Sequence, residues 1–347
     1  MIGPIALALL LHGPQEISLT MAIKRPSAAE FVAPPGTWIQ HPMTLKSLKG
    51  KVVLVDFWAY TCVNCIRTFP YIKEWYKRYH DKGFEIVAIH RPEFEFEGQP
   101  ANVKNAVKRF GFTFPVLNDP VGANWDRYGV TAWPTKILLD GTGQPVARHE
   151  GEGSYGEMET QIQLQLAKLH PGMKFPKIME PVRPTDAVGA RCQPMSLEVY
   201  AAGTVLRKQN GGVRDQKKTF QYPAARHGGL FFSGSWTPKR SFVLSNGGSA
   251  LMSYMAKDVD AVLRPSAGPI LVEVYQDGKP ADPKDLGDDV KIVNGVPTMK
   301  VQEPRMYSII KNQKWGIREV ELRPKSPGLQ LYTFTFGTEC RPIARKK

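Results

Sequence analysis

Two cysteines three positions apart, Cys62 and Cys65, are the residues of this sequence best suited to chemistry. They follow an apolar run typical of a β-strand, Val52–Val55, and they open a stretch whose apolar residues recur at helical spacing. The residues at that spacing are Ile66, Phe69, Ile72, Trp75 and Tyr76. The pair is therefore predicted to lie where a strand ends and a helix begins.

A strand-to-helix junction activates the first sulfur of such a pair. The unpaired N–H groups and the dipole of a helix N-terminus favour thiolate over thiol, and the thiolate is the species that attacks disulfides. The second sulfur then lies one turn inside the helix, within reach for an intramolecular disulfide. The spacing predicts dithiol–disulfide exchange, with Cys62 as nucleophile and Cys65 as the resolving thiol.

Other uses of a Cys-x-x-Cys pair fit this sequence less well. A zinc site needs a second pair of ligands, whereas Cys192 and Cys340 stand alone and no His-x-x-x-His pattern occurs. A purely structural disulfide is disfavoured, because so tight and exposed a ring is labile. We predict no metal and no cofactor.

The surroundings of the pair resemble the thioredoxin superfamily, near its TlpA/ResA branch. The strings that carry the resemblance are WAYTCVNCIRTFP at 58–70, IVAIHRPEFEFE at 86–97 and ANVKNAVKRFGFTFPV at 101–116. They are similar to the soluble extracytoplasmic part of DipZ-type proteins. The later strings FSGSW at 232–236, VEVYQDG at 272–278 and YTFTFG at 332–337 resemble the carbohydrate-binding-module-like β-sandwich of those proteins.

The resemblance implies roles for further residues. Asp56 matches a buried carboxylate of thioredoxins; burial raises the pKa of a carboxyl group, so Asp56 is expected to transfer protons for Cys65. Pro134 matches the cis-proline that faces the cysteines, and backbone there is expected to contact substrate. The residues expected to shape the rim of the site are Trp58, Tyr60 and Trp133. A partly solvated Asp56 and a core-packed Trp58 are the alternatives.

The resemblance also implies partners. Full-type DipZ proteins carry a multi-span membrane domain that delivers electrons, but no run here reaches the roughly 20 apolar residues of a membrane helix. We expect disulfide-containing or dithiol proteins as partners and a separate membrane electron donor. A periplasmic or otherwise extracytoplasmic location is expected, although the apolar run Ile5–Leu11 lacks a preceding Lys or Arg and a clear cleavage site.

The chain is basic, with a net charge of +14. Residues 1–170 hold 18 Lys and Arg against 16 Asp and Glu, whereas residues 171–347 hold 28 against 16. Anionic lipid, an acidic glycan or an acidic protein would suit such a surface, and a solvated surface that aids solubility is an equal alternative. Nucleic acid is not expected, because no recognition motif is present.

The pattern of apolar residues divides the chain into five segments. Residues 1–29 form an N-terminal segment that resembles a degenerate signal. Residues 30–170 alternate strand and helix, which predicts an α/β thioredoxin-like domain with a mixed central sheet and flanking helices. Residues 171–195 contain five prolines and are predicted as a linker. Residues 196–340 show short alternating runs, typical of an all-β jelly-roll-like sandwich, and 341–347 form a basic tail.

The alternating runs of the second half predict many short strands separated by turns. Ser241–Leu244, Ala250–Met255 and Ala261–Leu263 are predicted as three strands, and Met306–Lys311 and Ile317–Leu322 as two more.

Cys192 and Cys340 bracket this second half. If its first strand (197–200) pairs with its last (329–336), the two cysteines fall beyond adjacent strand ends, and we predict a structural disulfide. Two unrelated thiols are the alternative, which would be unusual in an exported protein.

Two further groups of side chains have a functional and a structural interpretation. Trp236 and Trp315 are candidates for stacking on sugar rings, although core packing is favoured. The acidic residues that follow His90 could line the site, although a solvated loop is favoured; they are Glu93, Glu95 and Glu97.

Three functions compete. The first is extracytoplasmic thiol–disulfide exchange, most favourably the reduction of partner disulfides, with the β-sandwich as a docking or glycan-binding module. The second is a thiol peroxidase, which usually has Thr three residues before its reactive cysteine; Ala59 stands there, and Thr61 is adjacent to the cysteine instead. The third is a non-enzymatic glycan-binding protein on a thioredoxin scaffold.

Overall fold

The computed structural model describes residues 28–207, 211–224 and 228–341. Almost all of the signal-like segment and the basic tail beyond Arg341 lie outside the described residues. Within the described ranges, no helix is both long enough and apolar enough to cross a membrane.

A mixed six-stranded sheet forms the centre of the first half, in the order β1-β4-β3-β2-β5-β6. Its strands are β1 (Trp38–Gln40), β2 (Val52–Trp58), β3 (Phe84–His90), β4 (Val116–Asn118), β5 (Thr135–Leu139) and β6 (Pro145–Glu150). Strands β2, β3 and β4 run parallel to one another, whereas β5 is antiparallel to both β2 and β6, and β1 is antiparallel to β4.

Among the described residues, four α-helices accompany this sheet: α1 (Val63–Tyr79), α2 (Pro100–Phe110), α3 (Ala123–Arg127) and α4 (Tyr155–Leu169). Every residue of β2 is buried, because its side chains alternate between two cores. Val52 and Leu54 enter one core, and Val53 and Val55 enter the other. The central strand β2 therefore leads from the middle of the protein directly to the cysteine pair.

The described residues of the second half are mostly β-strand, with one short α-helix and a 3-10 helix at Pro283–Asp285. Its elements are β7 (Arg191–Cys192), β8 (Val199–Tyr200), α5 (Ala201–Val205), β9 (Lys218–Phe220), β10 (Gly229–Pro238), β11 (Val243–Pro265), β12 (Ile270–Gln276), β13 (Lys279–Pro280), β14 (Val290–Val293), β15 (Val296–Val301), β16 (Arg305–Pro324), β17 (Leu329–Gly337) and β18 (Cys340–Arg341). All of the strand pairs are antiparallel. Strand β17 bridges the two ends of β11, since Leu331 pairs with both Val243 and Leu263.

The prediction of many short strands is wrong for β11 and β16. The three predicted strands from 241 to 263 form the single strand β11, and the two from 306 to 322 form β16. Glycines suggested turns, but the strand continues through them with irregular register. Gly248 lies opposite Gly234, and a Cβ atom on Gly248 would clash with the Ser233 carbonyl oxygen. Glycine is needed there for close backbone approach.

The ends of the second half meet as expected. Strand β8 pairs with β17, β7 pairs with β18, and Cys192 and Cys340 are joined by a disulfide across 148 residues of chain. The predicted fold class, an α/β half with a mixed sheet followed by an all-β half, is confirmed.

Residues 171–195 are held against the first half. The Tyr71 hydroxyl on α1 donates to the Asp186 carboxylate at 2.8 Å and accepts from the Val182 backbone N–H at 2.6 Å. The Arg183 guanidinium bonds Asp186 and Glu152. This segment therefore packs on the helix that begins at the cysteine pair.

Candidate functional site

Cys62 and Cys65 lie at the start of α1, at the carboxyl end of the parallel strands. Cys62 is the residue that caps the helix: its sulfur accepts a hydrogen bond from the Cys65 N–H at 3.1 Å, and it is half-buried. The two sulfurs are 2.6 Å apart, and a disulfide bond is about 2.05 Å long. A small movement would therefore close the ring.

The two thiols have different surroundings. Cys65 is completely buried, whereas Cys62 reaches the surface. Burial raises the pKa of the Cys65 thiol, and its hydrogen bond to Cys62 and the charge of Asp56 raise it further. Cys62 is thus the sulfur that a partner can reach, and Cys65 stays protonated until a base takes its proton.

Asp56 lies on β2 and is 2% exposed, which excludes the partly solvated alternative. Its direct neighbour on β5 is Lys136, which is also buried; the Lys136 Nζ is 3.8 Å from the Asp56 Oδ1. Neither atom has a hydrogen-bond partner among the described residues. Burial raises the pKa of Asp56 to about 6, although the Lys136 charge lowers it. The carboxyl group can therefore change protonation state near neutral pH.

Sequence reasoning missed Lys136. The signal was a lysine in the second position of a strand without other charged residues, TKILL at 135–139. A charged side chain inside such a strand is expensive to bury unless it is paired, so it indicates a buried acidic neighbour.

The Trp133–Pro134 peptide bond is cis and directly precedes β5. Pro134 is buried, and its carbonyl oxygen accepts a hydrogen bond from the Gly151 N–H at 2.7 Å. Trp133 is half-buried and packs on Trp125, with ring centroids 4.5 Å apart. Of the three expected rim residues, Trp133 alone is partly accessible.

The rim positions predicted for Trp58 and Tyr60 are wrong. Trp58 is fully buried, and its indole packs edge-on against Phe69 and Phe112. Tyr60 is 1% exposed and stacks on the His90 ring. Both follow the central strand into the core, and neither can contact a partner protein in this conformation.

The favoured view of the acidic residues as a solvated loop is wrong for Glu97, whereas Glu95 is exposed and Glu93 is half-buried. Glu97 is fully buried in a short 3-10 helix, Glu95–Gly98, and accepts hydrogen bonds from the backbone N–H and the hydroxyl of Thr61, the residue before Cys62. Burial raises the pKa of Glu97 to about 7, although its hydrogen bonds lower it. The sequence places these residues 36 positions apart and offers no local signal for the contact.

His90, at the end of β3, contacts the same loop. Its Nε2 accepts a hydrogen bond from the Tyr60 N–H at 3.3 Å, and its Nδ1 lies 3.2 Å from the Asn118 Oδ1. The proton therefore belongs on Nδ1, which donates to Asn118. Burial lowers the pKa of His90 to about 3, so the ring is neutral and serves as a fixed acceptor.

The tryptophans considered for sugar binding are poorly exposed. Trp236 is fully buried in the core of the second half. Trp315 is half-buried, and its indole N–H donates to the Pro194 carbonyl oxygen at 2.7 Å.

Comparison with known proteins supports the interpretation of both halves. Residues 35–162 match the Redoxin family model, and residues 199–337 match the model described as Thioredoxin like C-terminal domain. "Protein DipZ" of Mycobacterium tuberculosis is 33% identical over 300 residues, which cover 85% of this chain and 40% of that protein. "Thiol-disulfide oxidoreductase ResA" of Bacillus thuringiensis is 36% identical over 115 residues, which cover 33% of this chain and 64% of that protein.

The chain thus spans well under half the length of the DipZ protein that it matches. The resemblance to the thioredoxin superfamily, near the TlpA/ResA branch and the soluble part of DipZ, is confirmed by these matches.

Proposed function

We propose that this chain is an extracytoplasmic thiol–disulfide oxidoreductase that reduces disulfides of partner proteins through Cys62 and Cys65. The observation that carries the proposal is the asymmetry of the pair. Cys62 is accessible at a helix N-terminus, whereas Cys65 is buried 2.6 Å behind it, near an ionisable carboxyl group.

The reaction has two steps. The Cys62 thiolate attacks one sulfur of the partner disulfide; a mixed disulfide forms, and the partner's other sulfur leaves as a thiolate. Cys65 then loses its proton and attacks the Cys62 sulfur, which releases the second partner thiol and leaves a Cys62–Cys65 disulfide. Two electrons pass to the partner, and the oxidised pair needs an external reductant to return to the dithiol.

Asp56 is the proposed acceptor of the Cys65 proton. Its raised pKa of about 6 makes it a base of suitable strength near neutral pH. Lys136 stabilises the ionised carboxylate, because it is the only cationic side chain that the described residues place in a salt bridge with Asp56. Pairing with Lys136 would allow Asp56 to remain ionised inside an apolar core, so that it can accept the proton.

The remaining parts of the proposal concern partners. The external reductant is a separate membrane protein, and disulfide-containing proteins are the substrates. Residues 30–170 form the catalytic domain, 171–195 connect it to 196–340, and the latter serves for docking or for binding a glycan. Pro134 and Trp133 contact the substrate segment beside Cys62.

The experiment that tests the proposal is covalent trapping. A Cys65→Ser variant stops the reaction at the mixed disulfide, so incubation with an oxidised model protein such as insulin should yield an adduct that dithiothreitol reverses. A Cys62→Ser variant is the matched control and should give no adduct. If Cys65→Ser forms no adduct while the wild-type protein also fails to reduce insulin, the proposal is wrong.

A further inference from the structure

We propose that Glu97 is a positioning residue for Cys62, and that the second half of the chain, residues 196–340 (here the β-rich half), holds Glu97 in place. The inference rests on the proposed exchange reaction, since it concerns how the loop before the nucleophile is fixed. It goes further by giving the second half an effect on the redox site that requires no glycan and no docked partner.

Four donors converge on the Glu97 carboxylate. Oε1 accepts from the Thr61 N–H at 3.1 Å and from the Thr61 hydroxyl at 2.7 Å. Oε2 accepts from the Glu93 N–H at 2.7 Å and from the Phe94 N–H at 2.9 Å. Both oxygens act only as acceptors, which suits an ionised carboxylate, and charge-assisted hydrogen bonds of this kind are strong.

Glu97 and His90 together hold two consecutive residues of the loop. The Tyr60 N–H donates to the His90 ring and the Thr61 N–H donates to Glu97. Cys62 comes next, and its sulfur must stay aligned with the Cys65 N–H to cap α1. A loop fixed at both preceding N–H groups keeps this alignment, because little backbone freedom remains between Thr61 and the cap.

The β-rich half contacts the residues around Glu97. The Tyr332 ring packs edge-on against Phe94 and Phe96, with centroids 4.9 and 4.8 Å apart. Glu95 accepts a hydrogen bond from the Ser241 hydroxyl at 2.8 Å. Phe94, Glu95 and Phe96, in the turn that carries Glu97, thus contact β17 or the residues just before β11. Movement of the β-rich half would therefore move this turn.

The test measures how fast iodoacetamide alkylates Cys62 in the reduced full-length protein at pH 8, by peptide mass spectrometry, together with the dithiol–disulfide equilibrium in glutathione buffers. Glu97→Gln places an amide NH₂ against one of the donors. We expect alkylation about three- to tenfold slower, as for the loss of one hydrogen bond, and an equilibrium shifted towards the disulfide. Tyr332→Leu should act in the same direction with a smaller effect.

Matched controls separate positioning from stability. Glu85→Gln alters a buried glutamate on β3, at the opposite end of that strand from His90, and Tyr254→Leu alters another buried tyrosine of the β-rich half. Both should lower thermal stability yet change alkylation by less than about twofold. Thr61→Val removes one hydroxyl donor to Glu97 and keeps the N–H. It should also slow alkylation of Cys62, and it replaces Glu97→Gln if that variant fails to fold.

The outcomes distinguish this inference from the proposed function. If the wild-type protein reduces insulin and Glu97→Gln and Thr61→Val alkylate at or above the wild-type rate, the positioning role is wrong and the function stands. If Cys62 alkylation slows in both variants but the wild-type protein reduces no disulfide, the proposed function is wrong and the positioning role stands.

Discussion

The two halves of the molecule, the α/β half (residues 30–170) and the β-rich half, differ in how many acidic and basic side chains they bury. Among the described residues, the α/β half buries seven acidic or basic side chains, and the β-rich half buries two, Asp260 and Glu321. The seven are Asp56, Glu85, His90, Glu97, Asp119, Lys136 and Glu159. Residues 171–347 carry +12 of the net charge of +14, and none of their described Lys or Arg side chains is buried.

Burial of a charged group costs free energy unless partners satisfy it, so this difference has functional meaning. Four of the seven buried groups lie around the cysteine pair: Asp56 and Lys136 behind it, and His90 and Glu97 beside its loop. The proposed chemistry thus relies on three buried groups that can carry charge, Asp56, Lys136 and Glu97, and on the neutral ring of His90. The β-rich half presents apolar and aromatic contacts, such as those of Tyr332, to the same turn.

The largest expected effect tests whether all of the chemistry resides in the α/β half. Cys62→Ser should lower the rate of insulin reduction at least about a thousandfold, since no other accessible thiol can start the exchange. A paired Cys192→Ser and Cys340→Ser variant should stay within about threefold of the wild-type rate. A comparable loss of activity in the paired variant would assign part of the chemistry to the β-rich half.

The next effect concerns stability and should fall on the β-rich half. Replacement of both Cys192 and Cys340 by Ala opens a loop of 148 residues and should lower the free energy of unfolding by about 2–5 kcal/mol. Hydrogen exchange should quicken in β8 and β17 and stay unchanged in β2. The paired Cys62→Ala and Cys65→Ala variant is the control, because its ring is short; equal protection in β17 of both variants would contradict the prediction.

The structure of the α/β half could be predicted from the sequence better than that of the β-rich half, for physical reasons. Cys62, Cys65 and Asp56 lie within ten residues on one strand and one helix, so local patterns indicate their placement. His90 and Glu97 act on Tyr60 and Thr61 across 30 and 36 residues, and only the folded sheet brings them together.

The errors in the β-rich half have a different cause. Glycines and polar residues at 245–249 look like a turn, but they lie in β11, where it runs past β10. An irregular register in a long bent strand and a turn between two short strands use the same residue types. Strand type was therefore predictable, whereas strand length was not.

A third prediction concerns the buried pair behind Cys65. The pKa of Asp56 is about 6 in the folded protein against 3.8 in the unfolded chain, so the folded state holds the proton more tightly. The stability that this proton contributes is complete below about pH 4 and is lost as the pH rises through 6. Relative to Asp56→Asn, the wild-type protein should lose about 2 kcal/mol of unfolding free energy between pH 4 and pH 7.

Urea denaturation of both proteins at several pH values measures this difference. A difference that is constant from pH 4 to pH 7 would show that Asp56 does not titrate in this range. The same variant should slow release of the trapped partner from Cys62 more than it slows formation of the adduct, because the proposed base acts on Cys65.

The smallest expected effect tests the contact between the two halves. Tyr200→Phe removes the hydroxyl that donates to Glu93, across the boundary between the halves, and Tyr222→Phe removes one that donates to Glu321 within the β-rich half. Each should lower the free energy of unfolding by about 1 kcal/mol or less, as for the loss of one hydrogen bond. For Tyr200→Phe the loss should be small, because the Tyr200 side chain is 44% exposed. Only Tyr200→Phe should quicken hydrogen exchange at the Thr61 N–H, because that group donates to Glu97 in the same turn. Equal exchange at Thr61 in the two variants would mean that the β-rich half does not fix the loop through Glu93.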